Sequence, residues 1–504
     1  MATLEPGIRD RVRAHIDEHL EETVDVLSDY VRIPSVSVGD GSGMREAAEF
    51  LADRYRAFGC NEVEIVDTET FPGVWAYYDA GAPITILNYT MYDVRSVGDP
   101  SAWTRAPFDP VVEPRGELPA VLYGRGAQVP KGSDIAWLAG LEALKAVTGT
   151  LPVNIAFLAE GDEILGSISY TGLLERYADR LRDLDALVYL RAQESKDGVV
   201  PVRLGYKAFF TFELQVSGSS WGRGPGAMAA HSALRTIVDS PALRLADVIR
   251  SLYDVEGGIA VDGWLEHCAP PTIPDADRPL IDALLAHYAG RDWPEIIPAL
   301  AGTGVTTYAR GLQGESVLAE YIYGSALNIQ GYHSGYTGPG TRTFTIPERA
   351  VARFDARLTT TDDPAVFMAL LREHLDSRGF ADVEISLLSA YPASRAEVDS
   401  SLVGAFLDTV REWGSTPVVW PAQAYGGPWS LVARDGTPIV FGTGIGYGQG
   451  VGGPDEFMVV DGGGVRHSLA DLALFSADFI TEFAARASAQ RMSGEQRTSA
   501  ERDA

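Results

Sequence analysis

Three short apolar runs constrain this chain more than anything else in it: Thr85-Ile-Leu-Asn-Tyr, Asn154-Ile-Ala-Phe-Leu and Ala186-Leu-Val-Tyr-Leu. Each is too short for a stable helix and lacks a polar alternation, so the pattern predicts strands buried on both faces, as in parallel sheets. Helical spacing over Ile135–Val147 supplies a crossover between the first two runs. The same spacing over Arg9–Val31 and Met44–Gly59 predicts helices ahead of them. In such folds the loops after the strands gather at one end of the sheet, where ligands bind.

Near Leu204 the pattern changes. Phe209–Val216 alternates apolar and polar residues like a half-buried antiparallel strand. Arg342-Thr-Phe-Thr-Ile and Ala352-Arg-Phe-Asp-Ala-Arg-Leu also read as strands with one wet face, separated from the first by long helical stretches. After Tyr391 the α/β style returns, with a helix over Ser400–Trp413, a strand at Pro438-Ile-Val-Phe and a closing helix over Leu469–Ala484. One α/β domain, residues 1–205 and 391–504, is therefore interrupted by an α+β domain, residues 206–390. Residues 487–504 hold almost no large apolar side chain and are expected to form a disordered tail.

Composition narrows the function. With 46% hydrophobic and 22% charged residues the chain reads as globular. Its 41 basic and 69 acidic residues give a net charge of −28, so no basic field exists for nucleic acid. No apolar run is long enough to span a membrane, and the N-terminus lacks a signal-peptide pattern. Two cysteines far apart, Cys60 and Cys268, make no disulfide framework and fit a reducing cytoplasm.

Five segments carry recognisable chemistry, in order: Thr90-Met-Tyr-Asp-Val94, Trp103-Thr-Arg-Ala-Pro-Phe108, Tyr123-Gly-Arg-Gly-Ala-Gln-Val-Pro-Lys-Gly132, Glu160-Gly-Asp-Glu-Ile-Leu-Gly-Ser167 and Gly452-Gly-Pro-Asp-Glu-Phe457. Together they resemble the M20 family of metallopeptidases and amidohydrolases, especially its dipeptidase branch. The resemblance runs from about residue 20 to 485. It includes Gly331-Tyr-His-Ser-Gly-Tyr-Thr-Gly-Pro-Gly340, similar to a glycine-rich stretch of the family's lid. It implies a discontinuous zinc-peptidase-like α/β domain with an inserted α+β lid that dimerises. A homodimer is expected, through the lid-sheet edge near Phe209–Val216 or a helix beside it.

The family's chemistry rests on two divalent metals held by a His, a bridging Asp, a Glu, a second Asp and a C-terminal His. A carboxylate beside the Glu acts as general base. On the matching positions this chain carries Met91, Val129, Ile164, Arg191 and Gly452. A thioether, two aliphatic side chains, a guanidinium and a glycine are no donor set for zinc, so the metal pair is expected to be absent and no other cofactor is implied. Glu163 keeps the general-base position and Asp93 the place where the family orients its His ligand. Lys131, Asn328 and Arg357 match residues flanking the substrate, Trp429 falls in the substrate loop, and His333 lies in the glycine-rich lid stretch.

Three readings of function follow, two of them ranked ahead of the third. One is a metal-independent enzyme acting on a small amino-acid- or peptide-derived substrate that carries a carboxylate. There Glu163 is the base, Arg191, Lys131 or both stabilise negative charge, and Asp93 is counted with the catalytic residues; the reaction is amide hydrolysis or related proton transfer. The other is a non-catalytic relative serving as binding or partner subunit, with an ordinary metallo-dipeptidase ranked third. Arg191 is expected within salt-bridge reach of Glu163 or Asp93, because an unpaired guanidinium in an apolar pocket is costly.

Overall fold

The C-terminal ends of three neighbouring parallel strands set the frame. In the computed structural model, which describes residues 4–340 and 344–502 (without the side chains of 434, 435 and 494–502), a six-stranded sheet runs in the order Glu62–Val66, Gly73–Tyr78, Asn154–Glu160, Thr85–Met91, Ala186–Leu190, Ile439–Thr443. The last four are mutually parallel and the first two antiparallel. Register places Met91 opposite Glu160, so both strands finish level and release their loops side by side. All three apolar runs of the sequence are buried strands here. The helix read over Ile135–Val147 is Lys131–Thr148, while the one read over Arg9–Val31 is two helices, Pro6–Glu18 and Leu20–Arg32, meeting at His19. The fold is thus the mixed α/β architecture expected.

A smaller antiparallel sheet pairs Val111–Arg115, Leu118–Tyr123 and Phe457–Asp461. It ties the loop beginning at Gly124 to the loop ending at Glu456, through a Gly124 amide bonded to the Glu456 carbonyl.

The chain divides into two units. One comprises Met1–Leu204, Arg395–Trp420 and Val432–Ala504; the other comprises Gly205–Ser394 and Pro421–Leu431. The second therefore also takes in a short segment that the sequence reading left in the first. Its reason is close packing: a Cβ at Gly426 would lie 2.1 Å from the Lys207 carbonyl oxygen, and the Trp429 ring meets Tyr206 edge-on at 5.4 Å.

The second unit holds a four-stranded antiparallel sheet in the order Ala326–His333, Arg349–Leu358, Ala208–Ser217, Glu384–Tyr391. Phe210, Phe212, Leu214 and Val216 alternate into its core with Leu245 and Val248 of helix Pro241–Ser251 and Phe367 and Leu371 of helix Pro364–Ser377. The expectation that Phe209–Val216 forms a sheet edge is corrected: it pairs on both sides, and the edges are Ala326–His333 and Glu384–Tyr391. The strand read from Arg342 lies partly outside the described residues, with only Thr345–Ile346 paired.

The tail read as disordered instead continues the closing helix, Leu469–Arg502; residues 503 and 504 lie outside the described residues. Gln490 accepts from Ser401, and Arg491 donates to the Pro83 carbonyl and Asp185. These polar contacts hold a segment that has little apolar surface to bury. No helix among the described residues is long and apolar enough to cross a membrane.

Candidate active site

Asp93 and Glu163 stand where strands Thr85–Met91 and Asn154–Glu160 release their loops, and Arg191 directly follows the neighbouring strand. The Arg191 amide is fixed by the Thr443 carbonyl at 3.0 Å. Glu163 opens a single 3₁₀ turn, Glu163–Leu165, and is half-buried. The Asp93 carboxylate, wholly buried, accepts from the Ser37 hydroxyl at 2.7 Å and the Ile164 amide at 2.9 Å through one oxygen. Its other oxygen has no partner. One turn of chain thus carries the base and, through Ile164, pins Asp93 beneath it.

Arg191 does not form the salt bridge expected of it. Among the described residues its guanidinium makes no ion pair with Glu163 or Asp93, and its Nε is buried without a hydrogen bond. It acts on Glu163 through space: burial raises the Glu163 pKa, and the Arg191 charge, then that of Arg95, hold it down. The same charge also pulls the Asp134 carboxyl down, after its hydrogen bond from the Thr90 hydroxyl, against a large rise from burial.

The surroundings are dense in acid. Burial and then Glu163 push Asp93 up to about 7. Glu160, buried and bonded to the Tyr89 and Ser167 hydroxyls, is raised well above the usual carboxylate range, first by burial and then by Asp162. Asp162 is held by Thr70 and Ser169. Asp134, Glu160 and Asp162 each leave one oxygen without a partner. So many carboxyls near one another favour protons on several of them.

Lys131 is fully buried, and its Nζ donates to the carbonyls of Tyr30 (2.9 Å) and Ile33 (2.5 Å) while standing 4.9 Å from the centre of the Tyr30 ring. Burial lowers its pKa to about 7. Val129 and Met91 are buried, and the Val129 amide donates to Glu456 at 3.2 Å. Glu456 pairs with buried Arg125 at 2.9 Å and also receives the Gln128 and Gly452 amides. Gly452 adopts φ +72°, and a Cβ there would sit 2.8 Å from the Arg95 Cδ. The sequence reading passed over Arg95 and Asp134. Asp134 had a signal, an acid in the first turn of a helix whose first residue is Lys131, whereas Arg95 had none.

Asn328, Arg357, His333 and Trp429 belong to the second unit. Asn328 donates to Asp355 at 2.8 Å, Arg357 pairs with the same carboxylate at 3.3 Å, and the guanidinium lies 4.4 Å from the centre of the Phe209 ring. These three therefore form one polar cluster on the sheet. His333 ends the edge strand and is exposed, while Trp429 is buried against Tyr206.

Two divalent ions need a converging set of imidazoles and carboxylates. Among the described residues no group of three or more His, Cys, Asp or Glu side chains is disposed to hold a metal ion. The positions that the resemblance assigns to ligands carry Met91, Val129, Ile164, Arg191 and Gly452, and this donor chemistry does not fit a metal pair.

Comparison with known proteins places this geometry among relatives. Residues 92–464 match the family described as peptidase family M20/M25/M40. The chain is 26% identical over 458 residues to a Beta-Ala-His dipeptidase of Mus musculus, covering 83% of this chain and 87% of that protein. It is 23% identical over 369 residues to the Cys-Gly metallodipeptidase DUG1 of Saccharomyces cerevisiae, covering 70% and 72%. Among solved structures, the M20 family metallo-carboxypeptidase Sso-CP2 from Sulfolobus solfataricus superposes with a TM-score of 0.77 at 26% identity, covering 92% of this chain and 99% of that one. The di-peptidase Dug1p from Saccharomyces cerevisiae gives 0.73 at 20% identity, covering 94% and 98%.

Proposed function

The chain belongs to peptidase family M20/M25/M40, and from that premise we propose that it hydrolyses small peptide-like amides without the family's metal pair. Glu163 takes a proton from the attacking water, whose oxygen adds to the amide carbonyl. Arg191 faces the negative charge that develops on the carbonyl oxygen. The C–N bond then breaks as Glu163 returns the proton to the leaving amine. Dipeptidases among the relatives support a small substrate with a free carboxylate. Association of two chains through the second unit is part of the same proposal.

The observation that carries it is the isolation of Glu163: a carboxylate raised by burial, opposed by two guanidiniums, and in contact with neither. A carboxylate whose pKa is raised holds a proton more readily, which suits a general base. The test pairs elemental analysis of the purified protein with turnover of a dipeptide and N-acyl amino acid panel, with and without chelator. Chelator-resistant turnover lost in Glu163→Gln is expected. Two bound zinc ions per chain with chelator-sensitive turnover overturn the metal-free reading. One observation favours the non-catalytic alternative, the burial of Met91 and Tyr447 beside the motif loops. That alternative requires ligand binding with no turnover in any member of the panel.

A further inference from the structure

We propose that a cavity of the first unit, built around His467 and Glu194, is a second ligand site, and that it takes a small carboxylate carried on an apolar body. It does not depend on Glu163 being the reacting base, and none of the residues gathered around Glu163 lines it.

The cavity owes its space to a glycine loop. Asp461-Gly-Gly-Gly-Val-Arg-His-Ser468 holds the only run of three glycines in the chain. Gly463 and Gly464 take φ of +57° and +76°, which glycine adopts freely, and a Cβ at Gly462 would stand 1.8 Å from the Arg466 carbonyl oxygen. The chain therefore doubles back without side chains at three successive positions. Beside it lies a cavity of about 690 Å³, within the range of small-molecule sites, about 300–1,000 Å³. Leu20, Trp413, Val460 and Ala470 give it apolar wall.

His467 stands in that wall with one ring nitrogen bonded and one open. Its Nδ1–H donates to Glu194 at 2.7 Å, and the Ser415 hydroxyl holds the other Glu194 oxygen at 2.6 Å. The Glu194 side chain is 4% exposed, against 26% for His467. The Trp413 ring meets the imidazole edge-on at 5.5 Å and is itself fixed, its Nε1–H on Asp478 at 2.9 Å. Among the described residues the His467 Nε2 makes no hydrogen bond, and it is not buried. His374 shows the structural alternative in the same chain. It is wholly buried, its Nδ1 accepts from the Asp262 amide at 3.1 Å, and its Nε2 donates to the Ser251 carbonyl at 3.0 Å.

The surrounding charges decide what the open nitrogen can take. Arg13 joins Asp17 at 2.8 Å and Asp471 at 2.7 Å, and Asp471 also receives the Ser468 amide and hydroxyl, each at 2.8 Å. Behind Trp413, Arg9 and Asp478 pair at 3.0 Å. Asp461 accepts the Gly463 amide at 2.8 Å. With His467 protonated, the lining sets Arg13, Arg466 and His467 against Glu194, Asp461 and Asp471, so no net charge selects the ligand. Selection falls to the open imidazole nitrogen. Burial pulls the His467 pKa down, but the bond and charge of Glu194, then the charge of Asp471, outweigh it and raise the value. Protonated, the Nε2 is a charged donor without an acceptor. A carboxylate answers it with a charge-assisted bond about twice as strong as a neutral one, and the apolar wall receives the rest of the molecule.

The test titrates phenylacetate and its amide, phenylacetamide, calorimetrically into the full chain at fixed ionic strength. At pH 6 the acid is expected to bind about tenfold more tightly. At pH 9, with the imidazole neutral, the preference is expected to vanish. His467→Gln is expected to erase it at pH 6. Gly198→Asn keeps the dyad and occupies the cavity instead. Gly198 lines it at φ +72°, which asparagine tolerates, and a Cβ there would lie 3.8 Å from a Glu194 oxygen. This variant is expected to weaken both probes, and it decides the matter if His467→Gln does not fold. Equal affinity for the two probes at pH 6, a preference unchanged at pH 9 or in His467→Gln, or unaltered affinities in Gly198→Asn overturns the proposal. A preference abolished by Arg191→Met places the carboxylate beside Glu163 and overturns it as well.

Discussion

Two charged clusters in the first unit share a loop and treat their charges in opposite ways. Around Arg125 and Glu456 the groups touch: the ion pair is 2.9 Å, both side chains are almost wholly buried, and the guanidinium also reaches the Gly453 and Ser96 carbonyls. Around Glu163 they do not touch, and Arg95 and Arg191 act on it only through space. Arg95 is open to water, whereas the Arg191 Nε is buried without a hydrogen-bond partner. The bonded cluster belongs to the architecture, and the proposed function assigns the open one to a ligand.

The largest test of that contrast is Arg125→Met. Removing one partner of a buried pair strands the other, at a cost of about 3–5 kcal/mol, measured by denaturant unfolding of the full chain. Arg191→Met strands no bonded partner and is expected to change stability by less than about 1 kcal/mol, while removing turnover. Equal destabilisation by the two substitutions would break the comparison.

Next in size is Glu163→Gln. Loss of a general base is expected to lower turnover by about 10²–10⁴-fold. Stability should hold or rise, because a carboxylate is removed from beside Asp93 and Glu160, both of which its charge raises. A large loss of stability in this variant would move Glu163 into the architectural class.

The open cluster should also make the protein sensitive to pH. Asp93 is pushed up to about 7 by burial and by Glu163, far above its value in an unfolded chain, near 3.9. Between those values the folded state holds a proton that the unfolded state has lost, so stability falls as pH rises from about 4 through about 7. One such group contributes a slope of up to about 1.4 kcal/mol per pH unit. Above that range the sign reverses for Lys131, whose pKa is lowered to about 7 by burial, so stability regained toward alkaline pH is its signature. Asp93→Asn should flatten the acid-side slope and leave the alkaline side alone.

Much of this frame was legible in the sequence, and the part that was not has a physical cause. Apolar runs such as Ala186–Leu190 announce buried strands because no other structure hides them at that length. The loops after them follow from the topology, so Asp93, Glu163 and Arg191 were found together at the strand ends. What failed was distance and direction. A sequence pattern pairs Arg191 with the nearest acid, whereas the fold holds the guanidinium off it. The resemblance put a sheet edge near Phe209–Val216, and alternation could not correct it, since it reports one wet face and says nothing about strand neighbours. Lys131 matched a substrate-flanking position, yet its Nζ is engaged by two backbone carbonyls, Tyr30 and Ile33, at the end of helix Leu20–Arg32, contacts that no spacing rule encodes. Arg95 carries no motif, and its placement depends on a glycine more than three hundred residues away.

The smallest predicted effect is also the most discriminating, and it concerns Ser37. Its hydroxyl donates to the Asp93 carboxylate at 2.7 Å, one of two bonds that this buried group receives. When Asp93 is protonated, at pH 5, the bond joins two neutral groups and Ser37→Ala should cost about 1 kcal/mol. At pH 8 the carboxylate is mostly charged, and the same loss withdraws a donor from an anion, worth about 1.5–3 kcal/mol. The cost of Ser37→Ala should therefore grow with pH, and its Asp93 should titrate higher still. Arg125→Met is the reference for size: it removes both the charge and the hydrogen bond that hold the buried Glu456 carboxyl down, so its cost should exceed that of Ser37→Ala at either pH. Unfolding curves for the two variants at pH 5 and pH 8 make the comparison. A pH-independent cost for Ser37→Ala would show Asp93 to be in one protonation state throughout, and the open cluster would then be as settled as the bonded one.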